Sequence, residues 1–201
     1  MPMRLAVCVS GRGSNLVALL EALSGSAKAE VVLVLSNRAE APALDRARER
    51  GIPAAAFTNH RDASEWVALL REHRVDLVVL AGYLKLVPTG VILAFRNRIL
   101  NIHPALLPEF GGPGMYGHHV HEAVVASGAT VSGATVHLVD EEYDCGAILA
   151  QARVPVLPGD SAATLAARVL KAEHRLLPAV VLAAAEAGHP VPLPEPLELP
   201  A

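Results

Sequence analysis

The first half of the chain alternates short apolar segments with amphipathic ones, and this alternation constrains the fold more than any other feature. Apolar runs with a β-strand pattern cover residues 4–9, 31–35, 54–57, 77–80 and 98–102. The segments between them have helical spacing or helix-starting residues, and they cover residues 15–23, 42–50, 62–73 and 88–94. Strands that alternate with helices form parallel sheets covered on both faces. The pattern therefore predicts an α/β, Rossmann-like, three-layer fold with a mostly parallel sheet.

The second half of the chain has a different pattern. It predicts a loop over 106–117, a helix near 119–127, strands over 130–139 and 148–156, and a long helix over 161–187. The two strands flank a short polar loop, so we expect antiparallel strands toward the C-terminal part. Pro178 is expected to kink or split the long helix. We expect one domain over 1–187, followed by a tail over 188–201 whose five prolines leave it mobile or draped over the surface.

Composition and charge exclude several classes of protein. Hydrophobic residues make up 52% of the chain, but no apolar run approaches the roughly 20 residues of a membrane-spanning helix. The N-terminus shows no secretory cleavage site, so we expect a cytoplasmic protein without a membrane anchor. A net charge of -3 without a basic cluster argues against a nucleic-acid partner. Cys8 and Cys145 are expected to be free thiols.

A glycine-rich loop over residues 10–15, Ser-Gly-Arg-Gly-Ser-Asn, joins the first strand to the first helix. Such a loop lets the backbone approach a ligand, and the positive end of the helix dipole favours an anion such as phosphate. The loop is not a Walker A motif, and Leu16 stands where a dinucleotide-binding loop has its third glycine. The alternative is that Ser14 or Asn15 simply caps the helix.

Three polar side chains further along the chain suit acyl transfer to an amine. Asn101 and His103 are two positions apart in a predicted strand, so they face the same way, and Asp144 follows in a loop. When an amine attacks a formyl carbon, an Asn amide and a protonated His can donate hydrogen bonds to the oxyanion. A carboxylate near His103 would raise the imidazole pKa and keep it protonated. The alternative is that His103 is a structural residue at a strand end.

Other candidate residues carry weaker patterns. Cys145 is a poor nucleophile because the neighbouring Asp144 disfavours a thiolate. The histidines of the segment 118–121 resemble a metal ligand set, but they lack Cys partners, and we predict no metal site. His137 lies within a predicted strand, and we expect it to be a core residue or to contact the site from behind.

Motifs along almost the whole chain resemble those of the phosphoribosylglycinamide formyltransferase family, the folate-dependent formyltransferases of purine biosynthesis. The motifs are Ser-Gly-x-Gly-Ser-Asn at 10–15, Leu-Ala-Gly-Tyr-Leu-Lys-Leu-Val at 80–87, Asn-Ile-His-Pro-Ala-Leu-Leu-Pro at 101–108, Ser-Gly-Ala-Thr-Val-His at 132–137, Asp-x-Gly at 144–146 and Ala-Glu-His at 172–174. Together these motifs are highly specific, although each alone is weak.

The resemblance implies transfer of the formyl group of 10-formyltetrahydrofolate to the glycyl amine of glycinamide ribonucleotide, in de novo IMP biosynthesis. It implies a ribonucleotide-binding half over 1–100 and a catalytic and folate-binding half over 101–187. Small-molecule substrates, no metal and a monomer or homodimer are expected.

The same resemblance assigns roles to individual residues. Asn101, His103 and Asp144 match the catalytic trio, with His103 as the proton donor. Gly13, Ser14 and Asn15 match the segment that holds the ribonucleotide, and Glu173 matches the acid that binds its ribose; the alternative for Glu173 is a solvated helix acid. The residues expected to bind formyl-folate are Arg61, Leu84, Lys85, Leu86, Val87 and Asn101. The loop 110–117 is richer in glycine than in several relatives and is expected to be a mobile flap.

Three competing functions differ in what else they require. Methionyl-tRNA formyltransferase has the same trio and an additional basic C-terminal domain, and formyltetrahydrofolate deformylase has an N-terminal regulatory domain; the length of this sequence favours neither. A non-catalytic nucleotide-binding module would use the glycine-rich loop alone. Such a module would not need Asn101, His103 and Asp144 together.

Overall fold

A computed structural model describes residues 1–193 and 197–198 of the chain. Within these residues the strands are β1 (Met3–Val9), β2 (Ala29–Ser36), β3 (Ala54–Ala56), β4 (Leu77–Leu80), β5 (Ile99–His103), β6 (Val131–Leu138), β7 (Ile148–Pro155) and β8 (Leu197–Glu198). The helices are α1 (Ser14–Ala22), α2 (Pro42–Arg48), α3 (Ala63–Glu72), α4 (Thr89–Ala94), α5 (His118–Ser127) and α6 (Ala162–Ala187). The predicted elements are confirmed, with ends that differ by one or two residues.

The described strands form one sheet in the order β3-β2-β1-β4-β5-β6-β7-β8. Strands β1 to β5 are parallel, and β6 is antiparallel to both of its neighbours. The predicted α/β fold with antiparallel pairing toward the C-terminal part is therefore confirmed. The backbone of β8 pairs in parallel with the edge of β7. Residues 197–198 of the proline-rich tail thus extend the sheet, while residues 194–196 and 199–201 lie outside the described residues.

The sheet separates two apolar cores because successive side chains of a strand face opposite sides. In β1, Leu5, Val7 and Val9 face the core that contains α1, α2, α5 and α6. Ala6 and Cys8 face the second core, which contains α3 and α4. Trp66 of α3 is fully buried there. No helix in the part of the chain that the structure describes is long and apolar enough to cross a membrane.

Two local predictions have different outcomes. Asp62 caps α3 as expected, since its Oδ1 accepts a hydrogen bond of 2.8 Å from the Ser64 N–H. Pro178 was expected to kink or split the long helix; a split is wrong, because α6 continues through this residue, and a kink stays a prediction. Proline removes one helical hydrogen bond. Pro178 is buried with Leu176 and Leu177, so packing of this helix face against the sheet outweighs the local cost.

The carboxyl ends of β1, β4 and β5 lie side by side, and the strand order changes direction between β1 and β4. Ligands of open α/β sheets bind in the crevice at such a position. The glycine-rich loop follows β1, the segment 81–87 follows β4, and His103 is the last residue of β5. The topology therefore brings the predicted functional segments to one edge of the sheet.

Candidate active site

A cavity of about 850 Å³ opens at this edge of the sheet. Segments that follow β1, β4, β5 and β6 line it, together with one face of α6. The predicted site residues that line the cavity are Leu84, Lys85, Leu86, Val87, Asn101, His103, Asp144 and Glu173. Gly13, Ser14 and Asn15 do not line it themselves, but they directly follow Arg12, which does.

Asn101 and His103 project from β5 into this cavity, as their spacing in the strand predicts. Opposite Asn101, at the paired position of β6, lies His137. The Nδ2 atom of Asn101 is 3.0 Å from Nε2 of His137 and 3.4 Å from Oδ1 of Asp144. The amide is therefore oriented by two polar groups from other segments.

His137 contacts both Asn101 and Asp144 through its Nε2 atom. Its Nδ1 lies 2.7 Å from the Leu138 carbonyl oxygen, which can only accept, so Nδ1 carries a proton. The neutral ring accepts from Asn101 at Nε2, whereas the protonated ring donates there to Oδ1 of Asp144, which is 3.4 Å away. The sequence left His137 as a core residue or a contact from behind the site, and the structure shows that it has the second role. Its signal in the sequence is a polar residue between the apolar Val136 and Leu138 of a strand.

His103 is 3% exposed and has an acceptor beside each ring nitrogen. Nε2 donates a hydrogen bond of 2.8 Å to the Phe110 carbonyl oxygen, and Nδ1 is 3.5 Å from Oδ2 of Asp144. Burial lowers the pKa of His103, and the Asp144 charge and the Phe110 carbonyl only partly oppose this effect. Asp144 therefore raises the pKa of His103 as expected, but the net shift is downward, because desolvation of the ring is the larger effect.

Asp144 sits in the loop between β6 and β7 with a left-handed backbone (φ 57°), which Asp tolerates better than most residues. Its Oδ2 accepts a hydrogen bond of 3.0 Å from the Gly112 N–H. Burial raises the pKa of Asp144, but His137, His103 and this N–H outweigh it, so the pKa lies below its usual range. Asp144 is therefore a carboxylate in the folded protein. The loop that follows β5 is held against the site by Phe110 and Gly112.

The glycine-rich loop enters α1 through Gly13, whose φ of 73° favours glycine. A Cβ at this position would also lie 2.5 Å from Cβ of Ala43. No side chain caps α1. The alternative in which Ser14 or Asn15 serves only as a helix cap is therefore wrong, and the first turn presents its N–H groups without a side-chain acceptor.

Asn15 instead donates a hydrogen bond of 2.5 Å to Glu173 on α6. Glu173 is 8% exposed, so the alternative of a solvated helix acid is wrong. Burial raises the pKa of Glu173 to about 7, although the Asn15 amide opposes this shift. A carboxyl that lines the cavity thus changes its charge near neutral pH.

Ser10 connects the segments that follow β1 and β4. Its Oγ donates a hydrogen bond of 2.6 Å to Oδ1 of Asn37 and accepts one of 2.9 Å from the Leu84 N–H. Leu84 and Leu86 line the cavity and are 46% and 48% exposed. Exposed leucines in a cavity offer apolar area to a ligand. This connecting role of Ser10 was not predictable from its place in the glycine-rich loop.

Arg61 lies outside this arrangement. It is an exposed residue of the turn before α3, and it is not among the residues that line the cavity. Its role in folate binding stays a prediction.

The remaining candidates lie at or near the cavity without forming a second site. Partial desolvation and the neighbouring carboxylates raise the pKa of the exposed Cys145 thiol, as expected for a poor nucleophile. His118 and His119 both approach Glu122, at 3.5 Å and 3.1 Å. His121 is buried, and burial together with His118 and His103 lowers its pKa to about 4. Among the described residues, no group of three or more His, Cys, Asp or Glu side chains is arranged to hold a metal ion.

A family model described as formyl transferase matches residues 3–181. The chain belongs to the formyl transferase family. This match includes β1, the cavity-lining residues and most of α6. The formyl transferase assignment agrees with an Asn, a His and an Asp that meet beside a cavity.

Two plant proteins and one solved bacterial structure are similar to this formyl transferase. The chain is 50% identical to phosphoribosylglycinamide formyltransferase, chloroplastic, of Vigna unguiculata, over 91% of this chain and 61% of that protein. It is 49% identical to the protein of the same name from Arabidopsis thaliana, over 91% of this chain and 65% of that protein. The chain thus spans less than two thirds of the length of these relatives. The crystal structure of phosphoribosylglycinamide formyltransferase from Anaplasma phagocytophilum has a TM-score of 0.86 at 40% identity, over 93% of this chain and 89% of that chain.

Proposed function

We propose that this protein transfers the formyl group of 10-formyltetrahydrofolate to the glycyl amine of glycinamide ribonucleotide, a step of de novo IMP biosynthesis. The names of the similar proteins support these substrates. The observation that carries the proposal is the meeting of Asn101, His103 and Asp144 at the wall of one cavity.

The two substrates take different parts of the cavity. The ribonucleotide lies toward the segment 13–15 and Glu173, and the formyl-folate lies against the segment 84–87. The apolar side chains of Leu84 and Leu86 support the second assignment, because a folate carries a large planar ring system. Asn101 lines the same cavity, and in this proposal the formyl group and the amine meet at its side chain.

The amine attacks the formyl carbon directly, and a tetrahedral intermediate with an oxyanion forms. The Nδ2 group of Asn101 has two N–H bonds. One is directed at Nε2 of His137, and the other makes only a long contact with Asp144, with 3.4 Å between Nδ2 and Oδ1. The weakly bound N–H is free to donate to the oxyanion. Its orientation is fixed before the substrates arrive, so little reorganisation is needed.

His103 supplies the proton that the departing folate nitrogen requires. The protonated ring satisfies both of its acceptors, Asp144 and the Phe110 carbonyl, whereas the neutral ring has a proton for only one of them. Burial makes the imidazolium a stronger acid, which favours release of the proton. The new bond to the amine forms and the bond to the folate nitrogen breaks. The attacking amine loses one proton, which returns to His103 and restores its protonated ring.

One assay tests this function. The protein is mixed with 10-formyltetrahydrofolate and glycinamide ribonucleotide, the loss of formyl-folate absorbance is followed, and the reaction is repeated without the ribonucleotide. We expect consumption only in the complete mixture. Consumption without the ribonucleotide would identify a deformylase instead, and no consumption in either mixture would favour a non-catalytic nucleotide-binding module.

The proposal includes the setting of the enzyme. It acts in the cytoplasm on small molecules, needs neither a metal nor a nucleic acid, and works as a monomer or homodimer. The halves 1–100 and 101–187 both contribute to the cavity, which supports a single functional unit over 1–187. Light scattering during size-exclusion chromatography measures the oligomeric state, and a mass above that of a dimer would contradict this part of the proposal.

A further inference from the structure

The charged side chains that line the cavity are mostly acidic. The carboxylic residues are Asp140, Glu142, Asp144 and Glu173, whereas Arg12 and Lys85 are the lining residues with a permanent positive charge. Lys85 belongs to the segment that follows β4. Of the two, Arg12 belongs to the glycine-rich loop itself and directly precedes Gly13 and the first turn of α1.

Arg12 has a position and a freedom that suit a ligand contact. It lies between Gly11 and Gly13, immediately before α1, whose first turn has no side-chain cap. Its side chain is exposed and makes no hydrogen bond or ion pair with a described residue. Other arginines of the described chain are already paired with carboxylates, among them Arg4, Arg38, Arg48 and Arg168.

A second observation at the same place indicates a ligand. Asn15 is only 7% exposed, and its buried Oδ1 atom accepts no hydrogen bond from any described residue. The other end of this amide donates to the cavity-lining Glu173. A buried acceptor without a donor is costly. A hydroxyl group of a bound sugar can satisfy this acceptor, at the first turn of the nine-residue helix α1.

We propose that Arg12 binds the phosphate monoester of the substrate and thereby selects a phosphorylated ribonucleoside over the free nucleoside. This inference rests on the proposed ribonucleotide site and assigns a side chain to its phosphate. A guanidinium group forms two parallel hydrogen bonds with phosphate oxygens, and the N–H groups of the first turn of α1 add further donors. At Gly11 an added Cβ would meet nothing within 4 Å, so this residue leaves space for the phosphate to approach the backbone.

The test compares two ligands that differ only in the phosphate. Isothermal titration measures the binding of glycinamide ribonucleotide and of its dephosphorylated nucleoside to the wild-type protein, Arg12→Gln, Arg12→Lys and Lys85→Gln. For Arg12→Gln we expect ribonucleotide Kd to rise about tenfold or more and nucleoside Kd to stay within about twofold. Arg12→Lys retains the charge but not the paired hydrogen bonds, so its ribonucleotide Kd is expected to be intermediate.

Lys85→Gln is the matched control, because it removes the other permanent positive charge of the cavity lining. We expect it to change ribonucleotide Kd by less than about threefold, since Lys85 is exposed and solvent screens its charge. If Arg12→Gln lost affinity equally for the ribonucleotide and for the nucleoside, the proposal would be overturned, because Arg12 would then act on the loop or on the ribose. Unchanged ribonucleotide binding would also overturn it.

Failure of the proposed function would look different. Ribose 5-phosphate serves as a probe that carries the same phosphate monoester without the glycyl amine. Suppose that the wild-type protein binds ribose 5-phosphate more tightly than Arg12→Gln does, but does not consume formyl-folate with glycinamide ribonucleotide. The proposed formyl transfer is then refuted, whereas the proposed contact between Arg12 and the phosphate is supported. Arg12 is exposed, so thermal unfolding of Arg12→Gln is expected to match that of the wild type.

Discussion

Asn101 and His137 face each other across the β5–β6 pair, with Asn101 Nδ2 3.0 Å from His137 Nε2. We predict that His137→Phe lowers kcat by about ten- to a hundredfold, because Asn101 loses the acceptor that fixes its amide. The KM values of both substrates should change much less. Steady-state kinetics with each substrate varied in turn measures both effects.

The double variant separates positioning from a general loss of structure. Asn101→Ala removes the oxyanion donor, and we expect a loss of about a hundredfold or more. Adding His137→Phe to Asn101→Ala should then cost little further activity, since the two residues act through one group. Fully multiplicative losses would show that His137 has a separate role.

Asp144 carries the charge that opposes the effect of burial on His103. We predict that Asp144→Asn nearly abolishes formyl transfer and lowers the pKa of His103 further, because the negative charge beside Nδ1 is lost. Ribonucleotide binding should change little. Single-turnover kinetics and an NMR titration of the His103 ring check the two parts, and unaltered turnover would refute the role of Asp144.

Glu173 makes stability depend on pH in the direction opposite to most carboxylates. Its pKa is about 7 in the folded protein against 4.5 for an ordinary Glu, so the folded state binds the proton more tightly. The stability that protonated Glu173 contributes to the fold is fully present below the unfolded pKa and is lost as pH rises through about 7. Glu173→Gln stays neutral at every pH. We therefore predict that, above neutral pH, its free energy of unfolding exceeds that of the wild type by up to roughly 3 kcal/mol.

Urea unfolding at about pH 5 and about pH 8 measures this difference. The exposed Glu49→Gln serves as the control and should leave the pH dependence of the wild type unchanged. If Glu173→Gln retained the full wild-type pH dependence between these two values, Glu173 would not be the buried titrating group.

Gly146 allows the close approach of backbone that places the Asp144 loop. A Cβ at this position would lie 1.8 Å from the Leu138 carbonyl oxygen, which no side-chain rotation can relieve. We predict that Gly146→Ala moves the loop, lowers kcat by about tenfold or more, and destabilises the fold by about 1–3 kcal/mol. Gly11→Ala has open space around its Cβ and should retain the stability of the wild type. Wild-type kcat in Gly146→Ala would refute this account.

Much of the fold was predictable because its determinants are local. Apolar runs and helix-starting residues gave the strands and helices, and alternation of side chains placed Asn101 and His103 on one face. The continuity of α6 through Pro178 was not predictable in this way. A local rule gives the cost of a proline within a helix, but not the packing energy that exceeds it.

The sequence by itself determined the order of the elements, the glycine-rich loop and the strand that carries Asn101 and His103, since each depends on neighbouring residues. Only the tertiary structure decided that His137 and Asp144 reach Asn101, that Glu173 is buried against Asn15, and that burial lowers the pKa of His103. The physical reason is that contact distances and desolvation depend on how segments far apart in the chain pack together.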